Sequence, residues 1–200
     1  MVLKVYSVPF ASGGCGLVAM VLAEKQIPFE LVPIDDSTWP RGPQNSRQAA
    51  LQADGDLILY EGRAICRYLT EKYAGQGIPT GLQGRALFEQ AASIEFANFC
   101  PQVLSLVMAS AYPMSRGLPI DEAAIARGKS ELSAKLEVYE VILGKQKYLG
   151  GNEFTLADLF HLCYTPSLAK EGIDILVGTG PNFKRWGNDI SARPTWIKLQ

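Results

Sequence analysis

The chain has 200 residues, of which 48% are hydrophobic and 20% charged, with a net charge of −1. This is an ordinary composition for a folded protein of one large or two small domains. It offers no basic run for nucleic acid, and its longest apolar stretch, around residues 17–23, is too short to span a bilayer.

Residues 2–6 (Val-Leu-Lys-Val-Tyr) read as a strand with no signal-peptide pattern ahead of it, so a cytosolic protein is expected. A loop through Phe10 and Ser12 leads to Leu17, Val18, Val21 and Leu22 at helical spacing. The apolar run from Ile27 to Ile34, bounded by Pro28 and Pro33, suits a strand near a sheet edge, which completes a right-handed βαβ unit. Residues 35–43 are rich in turn formers, and Ser46 to Leu51 allow at most a short helix. Asp54-Gly55-Asp56 marks a hairpin turn before a strand at Leu57-Ile58-Leu59-Tyr60. A helix then runs from about Glu61 to Tyr73, with Ile65, Tyr68 and Leu69 on one face.

Residues 74–84 carry four glycines and a proline and read as a linker between a domain at 1–73 and a second at 85–200. From Arg85 the pattern is helical throughout. Pro101 must kink or break the first long run. A long amphipathic helix follows over 120–144, with Ile125, Leu132, Leu136, Tyr139 and Leu143 on its apolar side. Thr155 and Asp158 have the spacing of a capping box, and Phe154 and Leu159 that of a hydrophobic staple. Phe183, Trp186, Ile190 and Trp196 suggest a last helix interrupted at Pro194. The cysteines, Cys15, Cys66, Cys100 and Cys163, form no CxxC pair, so no metal site is expected, and the last three read as core residues. His161, the single histidine, reads as buried structure.

Four stretches carry a resemblance: 22–25 with 28–32, 54–69, 148–158 and 186–196. The most distinctive are Glu61-Gly62-Arg63-Ala64-Ile65, Asn152-Glu153-Phe154-Thr155-Leu156-Ala157-Asp158 and Ala192-Arg193-Pro194-Thr195-Trp196. In this order the chain resembles a soluble glutathione transferase, and most of all the phi-like transferases of fungi and plants. The resemblance implies an α/β thioredoxin-like N-terminal domain followed by an all-α C-terminal domain. It also implies a homodimer that uses glutathione as cosubstrate and acts on a small hydrophobic electrophile.

The family's chemistry must favour thiolate over thiol, and a hydroxyl donor or a helix N-terminus does so. The serine that serves this role in phi-like enzymes falls on Ser12, although serine before a helix is also an ordinary cap. The threonine and two arginines usual after it are replaced by Gly13-Gly14-Cys15-Gly16-Leu17. A covalent role for Cys15 is set against simple helix packing. The family's valine–proline pair, whose backbone binds the cysteine of glutathione, falls on Ala49-Ala50, with Gln48 before it. Without proline a cis bond there costs roughly 2.5–4 kcal/mol. Arg41 and Arg47 are the basic residues of this region. Glu61 matches the acidic residue that meets the γ-glutamyl amino group, and Gly62 replaces the serine beside it, keeping only the backbone N–H.

By position, the resemblance assigns the second-substrate pocket to Phe10, Phe99, Leu104, Val107, Met108, Tyr112 and Tyr164. The reading is a transferase with weakened or altered glutathione use. The alternatives on the same fold are a glutathione-independent isomerase or cyclase of specialised metabolism, and a noncatalytic binder of hydrophobic ligands.

Overall fold

The computed structural model describes residues 3–7, 13–33, 50–53, 57–73, 77–176 and 180–199. They fall into two compact units, 1–76 with 194–200, and 77–193.

The first unit is built on a four-stranded sheet in the order β2-β1-β3-β4. Strand β1 (Leu3–Ser7) pairs in parallel with β2 (Phe29–Pro33) and antiparallel with β3 (Ala50–Ala53), which in turn pairs antiparallel with β4 (Leu57–Tyr60). The edge position of β2 accommodates Pro33, which cannot donate to a ladder. Strand β3 takes up Ala50 and Leu51, at the end of the stretch 46–51 that allowed at most a short helix, and 46–49 lie outside the described residues. Leu51 pairs with Val5 on one side and Leu59 on the other, and this non-local pairing outweighs the local helical pattern.

Helix α1 (Gly14–Glu24) follows β1 and is buried from Cys15 through Leu22. A helix enclosed on all sides needs no polar face, and here its sequence has none over that stretch. It packs against helix α2 (Gly62–Lys72), which buries Ile65, Cys66 and Leu69. Helix α10 (Pro194–Leu199) also lies on α1, tied by a hydrogen bond from the Thr195 hydroxyl to Glu24. The pattern reading carries 194–200 with the helical domain, but packing joins it to the sheet unit, because Pro194 ends one helix and lets the chain turn back.

The second unit is helical: α3 (Leu82–Ile94), a π turn (Glu95–Phe99), α4 (Cys100–Ala109), α5 (Ala111–Met114), α6 (Glu122–Leu143), α7 (Leu156–Phe160), α8 (Thr165–Lys170) and α9 (Pro181–Ser191). The break expected at Pro101 takes the form of the π turn. Pro101 has no N–H for the carbonyl four residues back, and the Cys100 N–H bonds Glu95 O instead. By length and composition the run Leu82–Met114 could cross a membrane. Here the π turn interrupts it, and it buries Phe88, Phe99, Val103 and Leu106 in the helical core. Each such side chain contributes about 1.5–3 kcal/mol through burial. Gly128 of α6 lets Leu106 of α4 approach closely, since an added Cβ would lie 2.8 Å from its Cδ2.

Asp158 is the polar centre of this unit and is fully buried. Its Oδ1 accepts from the Leu149 N–H and the Trp186 indole N–H, both at 2.9 Å. Its Oδ2 accepts from the Thr155 N–H at 2.9 Å and the Thr155 hydroxyl at 3.0 Å. Burial raises the Asp158 pKa and these donors oppose the rise. The capping box read from the sequence is present, and it also ties α7 to the 148–151 turn and to α9.

Candidate functional site

The start of α2 holds two of the site residues that the resemblance assigns. Glu61 is its N-cap, with φ 69° and ψ 105°, a conformation that L residues other than glycine rarely adopt. Such a backbone costs on the order of 1–3 kcal/mol and concentrates at functional positions. The side chain is exposed and makes no cap hydrogen bond, so the carboxylate is presented outward rather than folded over its own helix. Gly62 is buried directly beneath. Its position is crowded by α1: an added Cβ would lie 2.6 Å from Gly14 Cα and 2.8 Å from Gly14 O.

Helix α1 starts in a similar way. Its N-cap is Gly13, at φ 75°, with no side-chain cap. Glycine is the residue that takes this angle without strain. The glycine-rich start is held by burial of Gly13, Cys15 and Gly16 and by a weak bond from Cys15 Sγ to Tyr6 O at 3.8 Å. Cys15 is thus buried in helix packing, and burial pushes the Cys66 thiol up to about 12, far from a reactive thiolate. Both helix starts keep backbone N–H groups that no side chain of their N-cap takes up. A carboxylate acceptor meets such groups favourably, and an exposed Glu61 suits an ammonium group. The residues present therefore fit the γ-glutamyl end of glutathione.

Phe10, Ser12, Gln48 and Ala49, with Arg41 and Arg47, lie outside the described residues. Ala50 is the first residue of β3, between Tyr6 and Tyr60.

The apolar candidates separate in the helical unit. Leu104 and Met108 lie four residues apart on α4 and are exposed, so they share one face. Val107 and Tyr112 are half-buried, and the Arg116 guanidinium stands 4.9 Å from the Tyr112 ring centre. Tyr164 is half-buried at the N-cap of α8. Phe99 is placed in the core instead, only 2% exposed, with its ring 4.4 Å from that of His161 and 6.1 Å from that of Tyr139. The exposed aromatic of this stretch is Phe96, 61% exposed, which the pattern did not single out.

His161 is fully buried. Its Nδ1 lies 2.8 Å from the Ala157 carbonyl and so donates to it, leaving Nε2 to accept from the Tyr139 hydroxyl at 3.2 Å. Burial, and then the charge of Glu95, raise the Tyr139 pKa, which keeps that hydroxyl a donor. These groups are consumed within the core and serve it.

Residues 10–77 match the family model of the glutathione S-transferase N-terminal domain, and residues 99–194 that of the C-terminal domain. The chain is 39% identical over 209 residues to glutathione S-transferase F11 of Arabidopsis thaliana, covering 100% of this chain and 97% of that protein. Among solved structures, glutathione transferase F7 from Populus trichocarpa superimposes with a TM-score of 0.86 at 33% identity, covering 99% of this chain and 97% of its own. Glutathione S-transferase I from mais, solved in complex with an atrazine glutathione conjugate, gives 0.86 at 29% identity over 100% and 96% of the two chains. With both domains matched in order and full-length relatives at this identity, the chain belongs to the glutathione S-transferase family, among its phi-like members.

Proposed function

We propose that this protein is a transferase that joins glutathione to a small hydrophobic electrophile, through a glutathione site altered from the family pattern. The observation that carries the reading is Glu61. A strained, exposed carboxylate stands at the uncapped start of α2, at the position where the family holds the γ-glutamyl group. The mais relative, solved with an atrazine glutathione conjugate, supports the joining of glutathione to a second substrate.

Glutathione supplies the nucleophilic thiol. The Ser12 hydroxyl donates to that sulfur and holds it as thiolate. Glu61 takes the amino group and the Gly62 N–H the adjoining carboxylate, while the backbone at Gln48 and Ala49 orients the cysteine of the tripeptide. Loss of the proline and of the serine hydroxyl removes two family contacts, so affinity is set lower than in relatives that keep them. The resemblance assigns the electrophile to Phe10, Leu104, Val107 and Met108, with Tyr112 and Tyr164 as orienting hydroxyls. Phe99 supports them from the core. The protein works as a cytosolic homodimer.

The test is calorimetric titration with reduced glutathione, followed by turnover of an aryl halide. Saturable binding and conjugate formation are expected. No binding at millimolar glutathione would overturn the reading and move the search to an isomerase, a cyclase or a binder that uses the apolar residues alone.

A further inference from the structure

Two departures from the family pattern lie far apart in sequence: the glycine-rich stretch at 13–16 and the glycine at 62. In space they are one contact. The start of α2 rests on the backbone of Gly14, and a Cβ at 62 would meet Gly14 Cα at 2.6 Å, its O at 2.8 Å and its carbonyl C at 3.0 Å. All three are backbone atoms, so no rotamer change relieves the overlap, and one helix start would have to move. Neither is free to do so. The first turn of α1 is fixed by Gly13 at φ 75° and by the Leu17 N–H to Gly13 O bond. Helix α2 is fixed along α1 by fully buried Ile65, Cys66 and Leu69.

We propose that Gly14 and Gly62 form a matched pair that positions Glu61, so that serine, the family's residue at 62, cannot be restored without displacing it. This rests on the glutathione reading above for its functional consequence. Gly62 is a positioning residue. The bare backbone at 62 lets α2 begin against α1, and Glu61, one residue earlier, takes its left-handed φ from that placement. The loss of a hydroxyl at 62 is therefore a requirement of this packing rather than erosion of the site.

The experiment compares Gly62→Ser and Gly62→Ala with Gly81→Ala, where an added Cβ meets nothing within 4 Å. Both position-62 variants are expected to melt lower than the wild type and to raise KM for glutathione about tenfold or more, with KM for the electrophile unchanged, while Gly81→Ala changes neither. In amide NMR spectra of Gly62→Ala, resonances of Glu61 and of residues 13–16 shift and those of α7 stay in place. If Gly62→Ser does not fold, Gly62→Ala carries the comparison. A Gly62→Ser protein that binds glutathione as well as the wild type overturns the proposal. So does a lower melting temperature with unmoved KM and unmoved Glu61 resonances. If the wild type binds no glutathione, the transferase reading fails, and the melting and NMR comparison still decides the contact.

Discussion

The helix starts of the two units are built differently. In the helical unit, side chains cap three of them, whereas α3, α4, α5 and α8 begin without a side-chain cap: Asp121 accepts from the Ala124 N–H at α6, Thr155 and Asp158 reciprocate at α7, and Glu140 accepts from the N–H groups of Asn182 and Phe183 at α9. In the sheet unit, α1 and α2 begin at Gly13 and Glu61 without a side-chain cap. Capped N–H groups are satisfied internally and fix the fold. Uncapped ones carry the same partial positive charge outward, where a ligand can use it.

Breaking the strongest cap gives the largest effect. Asp158→Ala removes the acceptor for two backbone N–H groups and the Trp186 indole, and is expected to cost roughly 3–5 kcal/mol in urea denaturation. A small loss would mean that the box is ornamental and the contrast between units false. Ser12→Ala tests the proposed thiolate role. Turnover should fall roughly a hundredfold with little change in melting, and ultraviolet absorbance of bound glutathione should report loss of thiolate. Retained thiolate would assign that role elsewhere. Glu61→Gln keeps shape and removes charge, so glutathione affinity should weaken about tenfold by calorimetry with stability unchanged. A drop in stability instead would make Glu61 a structural residue.

The smallest effect is a pH dependence at α9. Hydrogen bonds from the Phe183 N–H, and then from Asn182, hold the Glu140 pKa below its ordinary value against a smaller opposing effect of desolvation. A depressed carboxylate stabilises the folded state above its unfolded pKa, and that contribution is lost as pH falls through the folded value. Wild type should therefore be more stable than Glu140→Gln at neutral pH, and the gap should close on acidification in parallel thermal melts. A gap that persists in acid would show that packing, not charge, joins α6 to α9.

Local chemistry made much of this legible. The strand at Leu57–Tyr60, the capping box at Thr155 and the apolar side of α6 are short-range patterns, and each stands where the sequence put it, while the turn expected at 54–56 lies outside the described residues. Strand β3 was not foreseen at Leu51 because its pairing with Val5 and Leu59 is non-local, and nothing in the local sequence separates exposed Phe96 from buried Phe99. The site was legible only in part. Glu61 could be assigned from its motif, but its left-handed φ could not, since only the structure shows that angle.

Sequence alone determined the family, the order of the two domains and the residue types available for binding, because motifs and periodicity are carried by neighbours in the chain. Tertiary structure decided that Gly14 and Gly62 touch, that Phe99 belongs to the core and that residues 194–199 return to α1. Those facts depend on which distant backbones approach one another, and steric exclusion between them is not written in either segment by itself.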